Sequence, residues 1–197
     1  MGGGDKTAMD VGGVSLRERV IASVSDAVSI VVVGPAVERP VDAAAVRWVS
    51  EDPPDGGPLA ALAAALKFVE APVVVVLAGD LPFAAGLPPV LLAALADAPA
   101  VDAVVPRDSQ GNDQPLAAAY RTDALTRTLA SIGTAHGRAM RALLDHLCVH
   151  AVPADELPPG TLDDVDTASD LDAARRRASS TSLEPTPTPT LKGGSHA

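Results

Sequence analysis

The segment PVVVVLAGDLP (72–82) holds the most apolar run of the chain, four consecutive valines followed by Leu77 and Ala78. β-Branched side chains are stiff at χ1 and favour the extended backbone of a pleated sheet. A strand that is apolar at every position, rather than at alternate ones, has both of its faces covered. The run is therefore expected to be a central strand with helices above and below, breaking at Gly79. In open sheets of this kind ligands gather beyond the carboxyl ends of the strands. Asp80 stands at that place.

Outward from this strand, apolar runs and helical periods alternate. SLRERVIASV (15–24) sets Leu16, Val20, Ile21 and Val24 at helical spacing with charges between them. VSIVVVG (28–34) and VRWVS (46–50) read as strands, and GPLAALAAALKFVE (57–70) as a helix with Pro58 in its first turn, where the missing N–H costs nothing. LPPVLLAALADA (87–98) is the next helix, and VDAVVP (101–106) and QPLAAAYR (114–121) are strands around the turn RDSQGND (107–113). ALTRTLASI (124–132) and GRAMRALLDHL (137–147) follow as helices, CVHAVP (148–153) as a strand and TASDLDAARRRA (167–178) as a capped final helix. This alternation predicts an α/β fold of three αβα layers around a mostly parallel, doubly wound sheet. From Ser179 the tail SSTSLEPTPTPTLKGGSHA has no packable apolar face and is expected to be disordered or polyproline-like, which sets the domain at 1–178 and the tail at 179–197.

Composition narrows the function. Hydrophobic residues make up 47% of the 197, yet only Trp48, Phe68, Phe83 and Tyr120 are aromatic, so the core must be built from Ala, Val and Leu. Fifteen basic and 25 acidic side chains leave a formal net charge of −10, and only Arg175, Arg176 and Arg177 cluster. That balance argues against a nucleic-acid or anionic-membrane surface, which needs a basic face. It leaves room for one nucleotide held by a metal and a single lysine. No apolar run reaches the ~18 residues of a membrane span, and no signal peptide opens the chain. Cys148 is the single cysteine, which removes any internal disulfide, makes a reducing cytoplasm the default, and suits a small core residue.

Three loops carry carboxylates. Asp80 either ligates Mg²⁺ carrying nucleotide phosphates or caps the helix starting near Pro82; its place beyond a central strand favours the metal. In EDPPDGGPLAAL (51–62), two glycines and a proline open a helix whose amides face whatever lies above them, with Asp52 and Asp55 alongside. Those acids either accept hydrogen bonds from ligand N–H or hydroxyl groups or cap a Pro/Gly turn. In DDVDTASDLDAA (163–174), Thr167 and Asp170 form a capping-box pattern that needs no function. Asp166 is left over and could complete a two-carboxylate metal site with Asp80. His136, His146, His150 and His196 show no metal-ligand spacing and read as surface or structural residues.

The segments MGGGDK, GPLAALAAAL, LAGDLPF, QPLAAAYR and DVDTASDL, in this order and spacing, resemble the molybdenum cofactor guanylyltransferases, within the nucleotidyltransferases that include the sugar-nucleotide pyrophosphorylases. The likeness runs from Met1 to about Arg177. It implies transfer of GMP from Mg·GTP to molybdopterin with release of pyrophosphate, in the cytoplasm, with molybdoenzyme maturation proteins as transient contacts. It also implies that Gly3, Gly4 and Lys6 bind the nucleotide phosphates. Asp52 would lie near the guanine or ribose, Gly57 and Pro58 would shape the base pocket, and Asp80 would hold Mg²⁺. Such chemistry asks for in-line positioning and charge neutralisation, not a side-chain nucleophile.

Two departures from the family pattern carry expectations of their own. Family members place a buried strand and a Leu-Ala-Gly-Gly-x-x-x-Arg-Arg loop directly before the segment that here begins at Met1. By that resemblance the chain is expected to lack its first strand and the N-terminal half of the phosphate loop, with about ten to twenty further residues in the natural protein. Where guanylyltransferases show Asn-x-Asn-Thr, this chain has DVDT (164–167). Two acids there resemble the related cytidylyltransferases, so CTP is the alternative substrate. A non-catalytic nucleotide-binding relative is the alternative from another class.

Overall fold

A computed structural model describes residues 6–34 and 46–181. Its main sheet has four strands, β3 (Val73–Leu77), β4 (Ala103–Arg107), β5 (Ala117–Arg121) and β6 (Val149–Pro153), side by side in the order β3-β5-β4-β6. A second sheet pairs β1 (Ile30–Val33) with β2 (Val46–Val49) in parallel, Ile30 opposite Val46 and Val33 opposite Val49. In the main sheet β3, β4 and β6 share one direction and β5 alone opposes them, pairing antiparallel with β3 and β4. The cause is local. The turn between β4 and β5 is too short to carry a crossover helix, so the chain has to come back antiparallel.

Alternate side chains of β4 and β5 enter opposite layers, as the two-residue period of a strand requires. Val104, Ala117 and Ala119 pack beneath α3 (Leu87–Asp97), against its Leu87, Leu91 and Leu95. Ala103, Val105, Ala118 and Tyr120 face α2 (Pro58–Leu66), α4 (Thr122–Ile132) and α5 (Arg141–Leu144), against Leu59, Leu62, Leu125 and Leu143. Alanines in β5 let these helices approach closely. Each fully buried leucine contributes on the order of 1.5–3 kcal/mol. The three αβα layers expected from the sequence are present.

The expectation of a central position for the valine run needs correction. β3 lies at one end of the main sheet, with all five residues partly buried. Its two faces are covered as the apolar pattern demands: Val73, Val75 and Leu77 pack on the α3 side, Val74 and Val76 on the α2 side. An apolar run reports burial of the faces; it carries no information about hydrogen bonding along the edges.

A third cluster joins distant parts of the chain. α1 (Leu16–Ala22) starts at a Ser15–Glu18 capping box and buries Leu16 against Val11, Val165 and Ala174, the last from α6 (Ala168–Thr181). Helix α6 runs three residues past its expected end at 178, and the Ser179 and Ser180 hydroxyls donate to the Arg175 and Arg177 carbonyls at 2.9 and 2.8 Å. The rest of the expected tail, 182–197, lies outside the described residues. The helix expected over 137–147 shrinks to α5, because Gly133 and Gly137 (φ 75° and 72°) bend the chain ahead of it. Cys148 is exposed and not a core residue; its amide donates to Asp102 Oδ2 at 2.9 Å. Among the described residues no helix is long and apolar enough to cross a membrane.

Candidate active site

The chain leaves β3 through Ala78, whose amide donates to the Leu116 carbonyl at 2.6 Å, and turns at Gly79 and Asp80. Beyond this strand end the backbone of Val165 donates to the Asp80 carbonyl at 3.1 Å. Val165 is itself buried, so the acids on either side of it, Asp164 and Asp166, are held next to the strand tip. A short 3₁₀ turn, Lys6–Ala8, closes over the same place. Gly79 has to be glycine for this: a Cβ there would lie 2.9 Å from the Thr7 methyl. The Lys6 ammonium reaches Asp166 Oδ1 at 3.1 Å. Arg17 ties the turn down by donating to Thr7 Oγ1 at 3.2 Å, and its guanidinium lies 5.3 Å over the Trp48 ring of β2.

Lys6, Asp80 and Asp166, distant in sequence, are thus assembled at one strand end. The electrostatics are those of a site short of positive charge. Burial pushes the Asp80 carboxyl above its ordinary range, and the nearby charges of Asp164 and Asp166 push it further, against a lowering by a backbone hydrogen bond and, less, by Lys6. Asp164 is raised as well, first by burial and then by Asp166. A cation placed among these groups would relieve both the repulsion and the desolvation. Among the described residues no three or more Asp, Glu, His or Cys side chains form an all-protein metal cage. One or two carboxylates completed by water and substrate phosphates is the donor set Mg²⁺ prefers, and the residues present fit that ion.

The competing structural roles are resolved for two acids. Asp80 caps nothing: the following 3₁₀ turn and α3 begin behind Phe83 and Gly86, with no side-chain cap bond. The capping box at α6 is real, with the Thr167 amide donating to Asp170 Oδ2 at 2.7 Å and the Asp170 amide to Thr167 Oγ1 at 3.2 Å. That leaves Asp166 outside the cap. Asp164, read from the sequence only as one of the two acids of DVDT, was not named there as a site residue. Its signal was the acid–valine–acid alternation at 164–166, readable once Val165 is known to be buried.

Asp52 lines a cavity of its own, and Gly57 and Pro58, at the start of α2, are not among the described residues lining it. Glu51 accepts from the Gly56 amide at 2.6 Å and fixes the turn before α2. Gly57, at φ 83°, precedes Pro58, the first residue of the helix. Asp52 lines a cavity of about 570 Å³ between the end of β2, one side of α2 and the segment after α4. Gly3 and Gly4 lie outside the described residues.

A MobA-like NTP transferase domain model matches residues 1–151. The chain belongs to the MobA-like NTP transferase family. A probable molybdenum cofactor guanylyltransferase from Natronomonas pharaonis is 35% identical over 192 residues, covering 91% of this chain and 92% of the relative. In fold, the chain is similar to the molybdopterin-guanine dinucleotide biosynthesis protein A of Archaeoglobus fulgidus (TM-score 0.64, 23% identity, covering 89% of this chain and 91% of the other). It is equally similar to the 2-C-methyl-D-erythritol 4-phosphate cytidylyltransferase of Thermus thermophilus (TM-score 0.65, 20% identity, 90% and 95% covered). The MobA-like transferase described here is therefore a nucleotidyltransferase, with its acidic cluster at the carboxyl end of β3.

Proposed function

We propose that this nucleotidyltransferase moves GMP from GTP to molybdopterin, forming a guanine dinucleotide cofactor and pyrophosphate. The observation that carries the reading is the convergence of Lys6, Asp80 and Asp166 at the tip of β3. The curated relative's name supports the choice of GTP and molybdopterin. In the reaction a phosphate oxygen of the acceptor forms a bond to the α-phosphorus, and the bond to the β,γ-diphosphate breaks, with its electron pair leaving on pyrophosphate. Asp80 and Asp166 would hold Mg²⁺, which supplies charge neutralisation on the phosphates when bound. Lys6, half exposed in its pair with Asp166, is free to swing its ammonium onto the triphosphate. The turn before α2, with Gly57 and Pro58, would shape the base pocket, and Asp52 would accept hydrogen bonds from the base or ribose.

A second reading has one specific observation in its favour. Asp164 and Asp166 both carry acids where guanylyltransferases show amides, and both act electrostatically on Asp80. That arrangement suits a cytidylyltransferase. Incubating the full chain with Mg²⁺, molybdopterin and each nucleoside triphosphate in turn, and following pyrophosphate, tests both. Release with GTP supports GMP transfer, release with CTP supports the alternative, and none with any triphosphate overturns the enzymatic reading.

A further inference from the structure

The cavity that holds Asp52 has a wall contributed by a segment far away in sequence. Gly133, Thr134, Ala135 and His136, between α4 and α5, line it together with Ser50 and Asp52. Two contacts fasten the wall to the turn before α2. The Gly137 amide donates to the Gly56 carbonyl at 2.8 Å. The His136 imidazole closes on Gly56 itself, since a Cβ there would lie 2.9 Å from His136 Nδ1 and 2.6 Å from the Ala60 Cβ. Both ends of the wall, Gly133 and Gly137, are in the left-handed region, which makes it a defined turn and not a free arc.

Its chemistry is divided. Ala60, Ala63 and Ala64 supply an apolar strip along α2, followed by Lys67 and by Phe68, whose ring lies 4.8 Å from the Arg47 guanidinium. Asp52 can only accept hydrogen bonds when ionised, whereas the Thr134 hydroxyl and an imidazole N–H donate. Guanine presents donors at one part of its rim and the O6 and N7 acceptors at another; cytosine presents an N4 donor where guanine has O6. A carboxylate can take the adjacent N1–H and N2–H₂ donors of guanine with both oxygens, where cytosine offers only its N4 amine, and donors lining the same cavity suit the O6 and N7 acceptors.

We propose that the 133–137 segment is the specificity wall of the nucleobase site, with Thr134 and His136 donating to the acceptor edge of a purine whose donor edge faces Asp52. This rests on the nucleotidyltransferase reading above but is testable apart from it, because it concerns which nucleotide binds. The test is calorimetric titration of the full chain and its variants with Mg²⁺ and GTP, ITP or CTP, alongside pyrophosphate release. His136→Ala is expected to weaken GTP binding roughly five- to tenfold, the loss of one hydrogen bond, and to leave CTP binding unchanged. His136→Asn, which keeps a donor, is expected to recover part of that loss. A thermal melt confirms that each variant folds.

The outcomes separate the two claims. If the wild type releases pyrophosphate from GTP, and His136→Ala and Thr134→Ala keep its nucleotide preference, the wall is overturned and the transfer reading stands. If GTP binding depends on His136 but no pyrophosphate appears, the wall stands and the transfer reading falls. If the wild type binds no nucleotide, both fall.

Discussion

The Lys6 ammonium and the Asp166 carboxylate meet at 3.1 Å across 160 positions of sequence, beside the tip of β3. Both side chains are well exposed, 43% and 60%, and an ion pair so open to water contributes little to stability. Under the proposed function its placement serves the chemistry of the strand end. Lys6→Ala is therefore expected to leave the melting temperature almost unchanged, within about 0.5 kcal/mol of wild-type stability. It should weaken nucleoside triphosphate binding at least tenfold, roughly the loss of one charge-assisted contact. Side-by-side thermal melts and nucleotide titrations check it.

Asp80→Asn is expected to abolish pyrophosphate release while making the metal-free protein slightly more stable at neutral pH. The sign follows from the raised Asp80 carboxyl. A carboxylic acid held above its unfolded value binds more protons when folded, so stability is lost as pH rises from the ordinary carboxylate range through the raised one. Asparagine carries no such penalty. Melts from pH 3 to pH 8 should show the variant gaining over wild type as pH rises; a variant that melts lower at pH 7 and stays active removes Asp80 from the site.

Mg²⁺ together with GTP should raise the melting temperature of the wild type, since a ligand that binds only the folded state stabilises by mass action. The rise should fade as pH falls into the range where Asp80 and Asp164, both raised, take up protons. Neither Asp80→Asn nor a wild type treated with a chelator should show it. Differential scanning fluorimetry across pH reads all three.

Gly79→Ala tests the fit of the 3₁₀ turn over the strand end. The new methyl would press on Thr7 Cγ2 at 2.9 Å and lift the turn that carries Lys6. A several-fold rise in KM for the triphosphate is expected, with a stability loss of about 1 kcal/mol, the ordinary scale of a tight steric change. Adding Thr7→Ser, which deletes the methyl and keeps the hydroxyl that Arg17 uses, should restore binding. Failure of the second substitution to rescue the first would place the effect elsewhere.

These expectations draw on features that differed in how plainly the sequence showed them. The faces of β3 were legible because four valines in succession leave no polar side, whereas its place at the end of the main sheet was not, because edge pairing leaves no mark on side-chain pattern. Asp80 was legible from position alone, after an apolar strand and a glycine. The nearness of Asp166 to it was readable only as one option, since the capping box of Thr167 and Asp170 could have absorbed the neighbouring acids. The arrival of His136 in the cavity that Asp52 lines depends on how the segment after α4 folds back onto Gly56. A helix-forming pattern through 137–147 hid that bend, which two glycines impose.

The span between Lys6 and Asp166 also sets the timing of assembly. During synthesis Lys6 leaves the ribosome early, and the acids that face it follow only when nearly the whole described chain has been made. Contacts so distant along the chain are slow to close. A nascent chain halted before residue 163 would present Asp80 without Asp164 or Asp166, and so with half of its proposed grip on a divalent ion. On the proposed function, the divalent-ion site would be complete only once the residues around Asp166 have joined the strand end.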